Sequence, residues 1–137
     1  MDTDGLFAPA TEDDVHRQYA AVGPAAQEAV REVAKGLDLG AEAYDEQVDA
    51  DLVLTAREAI YASLLAVHVG TRDEFEAWCG DRDREVTELG SEHVSGVAWH
   101  DAPWTGTVVA ATFENEPEAA VGTLRRQAFG RLYREVV

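Results

Sequence analysis

Apolar side chains recur at helical spacing through the first eighty residues and crowd into short β-rich runs after that. Residues 1–10 read as an arm with Leu6 or Phe7 docked on the core. Thr11 is an N-cap followed by Glu12, Asp13 and Asp14, acidic groups at the positive end of a helix dipole. Val15, Tyr19 and Val22 mark one face of a short helix, which Gly23 is expected to end. Pro24 then opens a second helix over 24–37, where Ala26, Ala29, Val30, Val33 and Leu37 share a face. Residues 38–48 read as an acidic connection. A third helix is predicted over about 50–69; it is apolar almost all round from Ala59 to Val69 and stops at Gly70, so it is expected to be the central buried helix. Thr71-Arg72-Asp73-Glu74 has the form of a capping box, with Phe75, Trp78 and Cys79 on the inner face of the helix it starts.

The pattern changes beyond Gly80 and the acidic turn Asp81–Asp83. Glu85–Leu89 has the composition of a short strand. Val94–His100 and Thr107–Phe113, separated by a turn with Pro103 and Gly106, predict an antiparallel hairpin. If His100 sits opposite Thr107, Trp99 faces Val108 and Ala98 faces Val109. Asn115 is the expected cap of a last helix with Pro117 in its first turn, and Val121, Leu124, Ala128, Leu132 and Val136 form its apolar stripe. Helices, a small antiparallel sheet and a closing helix packed on that sheet make an α+β fold, in one domain spanning residues 1–137.

Composition narrows the setting. Apolar residues make up 46% and charged residues 28% of the 137, an ordinary globular balance. The sign of the charge is not ordinary. Twenty-seven Asp and Glu face eleven basic residues, for a net charge of -16, and Lys35 is the one lysine. Such a chain repels itself in dilute buffer, whereas molar salt shortens the Debye length to about 3 Å. Lysine depletion under an acidic surplus therefore predicts a salt-rich cytoplasm. It also disfavours nucleic acid and anionic lipid as partners. A single cysteine, Cys79, excludes an intrachain disulfide. No signal-peptide pattern opens the chain, and no apolar run is long enough to span a bilayer, so a soluble cytoplasmic protein is expected.

Two stretches, "YASLLAVHVGTRDEFEAW" and "VAWHDAPWTGTVVAATFENEPEAAVGTLRRQAFGRLYREVV", resemble small proteins of unknown function from halophilic archaea. The resemblance runs over most of the chain. It implies a haloarchaeal cytoplasm and carries no activity or functional residues with it.

Chemistry is sparse. There is no P-loop, dinucleotide fingerprint or nucleophile elbow, and the four histidines lack metal-ligand spacing, so no metal site is predicted and no cofactor is identified. Two surfaces remain. Arg125 falls on the side of the last helix that faces the sheet, where a buried guanidinium needs an anion. With His100, Asp101 and Trp99 it could line a pocket for a small anion, Arg125 holding the anionic group and His100 exchanging a proton. An internal ion pair is the plainer alternative. Trp104 at the hairpin turn and Arg126, Arg131 and Arg134 on the last helix form the second surface. Residues 116–137 carry a net +1 while the other 115 carry -17. The leading expectation is a non-enzymatic module that associates with itself or another protein through Trp104, Arg131 and Arg134. The anion-binding protein or enzyme comes second. A winged-helix-like, transcription-related protein, with 64–79 as a helix-turn-helix, comes third, since Asp73, Glu74 and Glu76 would repel phosphate.

Overall fold

The computed structural model describes residues 1–37 and 50–137. The expected acidic connection 38–48 lies outside the described residues. In chain order the elements are β1 (Asp2–Asp4), α1 (Glu12–Gly36), α2 (Ala50–Ser63), β2 (Val67–Thr71), α3 (Arg72–Gly80), β3 (Glu85–Leu89), β4 (Gly96–Ala102), β5 (Thr107–Phe113) and α4 (Pro117–Ala128), which runs on into a π-helical turn (Phe129–Tyr133). The fold is α+β. Its five strands lie in the order β1-β2-β4-β5-β3, antiparallel except where β3 runs parallel to β5.

Thr11 caps α1 by accepting from Asp14 N at 3.1 Å. The helix does not break at Gly23-Pro24 but runs through as one, which corrects the expected pair of helices. Val15, Tyr19, Val22, Ala26, Val30 and Ala34 stay buried on one stripe across the proline, and that packing outweighs the lost hydrogen bond. Arg57 braces the site. Its Nε donates to Tyr19 O at 3.0 Å, and its guanidinium stacks 4.1 Å from the Tyr19 ring centroid.

The predicted helix 50–69 is two elements. α2 ends at Ser63, whose hydroxyl donates back to Ile60 O at 2.7 Å, and Leu64 and Leu65 close a last tight turn. Val67–Thr71 then enters the sheet between β1 and β4. An apolar run that reads as an all-round buried helix is equally a helix end followed by a strand buried in the sheet. His68 therefore belongs to a strand, not a helix end, and 64–79 is not a helix-turn-helix. Thr71 caps α3 with the full reciprocal box: Glu74 N donates to Thr71 Oγ1 at 3.1 Å, and Thr71 N to Glu74 Oε1 at 3.0 Å.

The sheet is covered on both faces. On the inner face Val67, Ala98, Val109 and Ala111 pack against α1, α2 and α4, around the buried rings of Tyr61 and Tyr133. On the outer face Val97, Trp99, Val108 and Ala110 pack against Phe75 and Trp78 of α3. Phe7 secures the N-terminal arm by stacking on Tyr61, centroids 5.0 Å apart, while Leu6 points to solvent. The β4–β5 register places His100 opposite Val109 and Ala102 opposite Thr107, two residues from the expected pairing. A shift of two keeps each side chain on its face and changes only its partner. The tighter turn is closed by Thr105 N to Ala102 O at 3.0 Å and Gly106 N to Pro103 O at 3.1 Å, with Gly106 at φ +70°.

Candidate functional site

Alternation along β4 separates the residues that the sequence groups together. His100 points to the inner face and Trp99 and Asp101 to the outer one. No single pocket can take all three with Arg125.

His100 is fully buried and both ring nitrogens are engaged. Nδ1 lies 2.7 Å from Ala66 O, an obligate acceptor, so this nitrogen carries the proton and donates. Nε2, 2.6 Å from the Tyr133 hydroxyl, then accepts from the phenol. Burial lowers the His100 pKa below the ordinary histidine value, against the pull of the Ala66 carbonyl and Asp101. Burial likewise pushes the Tyr133 phenol far above its usual range. The pair is a neutral structural link from β4 to the end of the last helix, with no exposed proton to trade.

The π-helical turn makes this link. Ala120, Leu124 and Ala128 are the buried positions of α4, and Phe129 and Tyr133 continue them one residue out of phase. One inserted residue re-aims the helix face, as π-turns do. Half-buried Leu132 and Val136 therefore flank the core rather than lead the stripe. Nor does Asn115 cap the helix: Glu116 is the N-cap residue, with no side-chain cap bond, and Pro117 follows in the first turn.

Arg125 has its partners within the chain. Nε donates to Leu65 O at 3.0 Å and Nη2 reaches Asp4 Oδ2 at 3.4 Å, with the side chain 15% exposed. The partners lie within the chain, although Asp4 itself is 79% exposed, so the pair sits at the surface and not in the interior. Asp101 is held by Arg84 through two bonds of 2.7 and 3.3 Å. Trp99 is buried in an outer-face cluster with Phe75, Trp78 and His68. Trp104 folds inward and packs on Tyr133 at 5.4 Å with its indole nitrogen buried, so it is not the exposed anchor expected at the turn. An open groove of about 450 Å³ lies elsewhere, between Leu89, Ala111 and Phe113 on the sheet and Ala119, Ala120 and Thr123 on α4.

The outward side of the last helix presents a different arrangement. Exposed residues come in pairs four apart: Glu118 and Ala119, Arg126 and Gln127, Gly130 and Arg131, Arg134 and Glu135, with Thr123 between them. Arg126, Arg131 and Arg134 are all exposed. Arg126 donates to Thr123 Oγ1 at 3.4 Å, Arg131 to Gln127 Oε1 at 3.3 Å, and Arg134 lies over the Phe129 ring. Among the described residues none is bonded to a carboxylate; Arg57 and Arg82, which bind backbone carbonyls and aromatic rings, share this, whereas Arg17, Arg31, Lys35, Arg72, Arg84 and Arg125 each have a carboxylate partner. Gly122 and Gly130 sit on the same side. The sequence offered the arginines as a surface; Tyr133 and the two glycines went unrecognised, because the π-turn that aligns them has no sequence signature.

Among the described residues no helix is long and apolar enough to cross a membrane. No curated protein and no solved structure matches the chain. A family model does match, over residues 6–134, and the chain belongs to that family, a family of unknown function (DUF5809).

Proposed function

We propose that the protein is a non-enzymatic association module whose docking surface is the exposed face of α4 and its π-turn, carried by Arg126, Arg131 and Arg134. The observation behind this reading is the set of three neighbouring exposed arginines that meet no carboxylate among the described residues, in a chain of net charge -16. Arginine is the cation best suited to a protein interface, since its planar fork pairs with carboxylates and its weak hydration eases burial. The acidic surplus fits a haloarchaeal cytoplasm, where salt screens the remaining surface. A small-anion pocket at Arg125 and His100 has less in its favour, because the guanidinium holds Asp4 and the imidazole is sealed under Tyr133.

The test is a photo-crosslinking amino acid at Thr123, with the same probe at exposed Asp13 on α1 as control. Adducts from position 123 that vanish in R126E/R131E/R134E support the reading. Equal labelling from both positions, or none from 123, contradicts it.

A further inference from the structure

We infer that the groove at the carboxyl ends of β3 and β5 is a binding site for a small organic cation, a primary ammonium carried on an apolar body. The inference goes beyond the proposed docking face and does not depend on it.

The topology opens the groove. β3 and β5 run parallel and finish at the same edge of the sheet, at Leu89 and Phe113. From there the chain leaves in two directions. Residues 90–95 cross the end of β5 to reach β4, and residues 114–116 turn onto the inner face to start α4. Connections that diverge from neighbouring strand ends leave a crevice between them, a common place for ligands in open sheets. The walls are fixed. Thr112 Oγ1 accepts from Ser91 N at 2.9 Å and donates to Leu89 O at 3.5 Å. Gly90, at φ +101°, brings the crossing so close that a Cβ there would collide with this hydroxyl. Gly96 likewise lets the Phe113 ring lie across β4. The groove of about 450 Å³ falls within the usual size of small-molecule sites, roughly 300–1,000 Å³.

The lining selects the ligand. Leu89, Ala111, Phe113 and Ala120 supply an apolar floor, and an aromatic ring such as Phe113 attracts a cation to its face. Glu114 and Glu116 stand at the rim, both exposed. Among the described residues neither carboxylate meets a cation, and Glu116, although it is the N-cap residue of α4, makes no side-chain cap bond. No Lys, Arg or His lines the groove among the described residues, so its side chains offer acceptors and apolar surface and no cation to hold an anion. Acidic side chains are common in this chain; these two differ in bordering an apolar cavity. An ammonium on an apolar body matches both halves, its body on the floor and its charge beside Glu114 and Glu116.

Amide chemical-shift titration with benzylamine tests the inference, beside benzyl alcohol and benzoate, in KCl at which circular dichroism finds every variant folded. Benzylamine is expected to shift the amides of Gly90, Thr112, Ala119 and Thr123 saturably. Benzyl alcohol should bind about tenfold more weakly and benzoate not at all. E114Q/E116Q should weaken benzylamine about tenfold, the scale of two exposed ion pairs lost together, and leave benzyl alcohol unchanged. That second readout separates a lost charge from a damaged groove. Ala119→Trp, which lays an indole over the apolar floor from an exposed helix position, should abolish binding of both. A benzylamine titration that shifts no groove amide overturns the inference, as does equal binding of amine and alcohol. So does E114Q/E116Q binding benzylamine as the wild type does, and so does benzoate binding more tightly than benzylamine, which would assign the groove to the free amides at the start of α4.

Discussion

Replacing Tyr133 by Phe removes one oxygen from a fully buried site. The His100 Nε2 that accepted the phenol's hydrogen bond at 2.6 Å becomes a buried acceptor without a donor, and Nδ1 stays fixed on Ala66 O. Leaving a buried polar group unpaired costs about 1–3 kcal/mol. For a domain of this length that is roughly 3–5 °C in melting temperature per kcal/mol. The pH dependence is more diagnostic than the size. Burial depresses the folded-state pKa of His100, so the unfolded chain binds the proton more readily. Stability from the neutral ring is therefore complete above about pH 6.5 and falls as pH drops below it, by about 1.4 kcal/mol per unit until the folded pKa is reached. The phenol donates only to neutral imidazole. Without it the folded pKa rises toward the unfolded value and the acid loss stops sooner. Urea unfolding of wild type and Y133F at pH 8 and pH 5 should then give a deficit that shrinks on acidification. A deficit under 0.5 kcal/mol at pH 8, or one that grows at pH 5, would refute the assigned tautomer and the structural role of the pair.

Other outcomes follow from single contacts. Gly96→Ala should destabilise by about 1–3 kcal/mol, because its Cβ would lie 2.5 Å from the Phe113 ring and 2.7 Å from Phe113 O; equilibrium unfolding measures it. Asp101→Asn removes the charge from the two-bond pair with Arg84 and should cost about 1 kcal/mol, with the loss reduced in Arg84→Met, where no cation is left unmatched. Arg125→Met should lower the melting temperature by freeing Leu65 O and the Asp4 strand. A thermal-shift panel of phosphorylated metabolites and carboxylates should treat it and the wild type alike, and a ligand shift confined to the wild type would revive the anion pocket.

Residues with a local physical signature were legible in the sequence. Thr11 and Thr71 cap the helices they were expected to cap, because a side-chain oxygen three residues ahead of a free amide is a complete local instruction. The hairpin faces also followed from alternation, although the turn was read two residues too wide. What failed depended on tertiary context. Pro24 lies inside a helix because the buried stripe from Val15 to Ala34 crosses it. Val67–Thr71 is a strand because β1 and β4 stand on either side, a fact the apolar run does not encode. β3 was recognised as a strand, but its parallel place at the far edge beside β5 came from topology. At the site, Arg125 was correctly assigned inward and given an anionic partner. Asp4, 121 residues away, could not have been named from spacing. The grouping of Trp99, His100 and Asp101 ignored the alternation of a strand, and Trp104 was taken for a lip because Tyr133, the ring it covers, reaches it only through the π-turn.

Hydrogen exchange along α4 tests the association face most directly. Amides from Gly122 to Gly130 should be more protected at high protein concentration than on dilution, and should lose that difference in R126E/R131E/R134E. Protection that is the same at every concentration and in every variant would contradict the account and leave the three arginines as solvated surface.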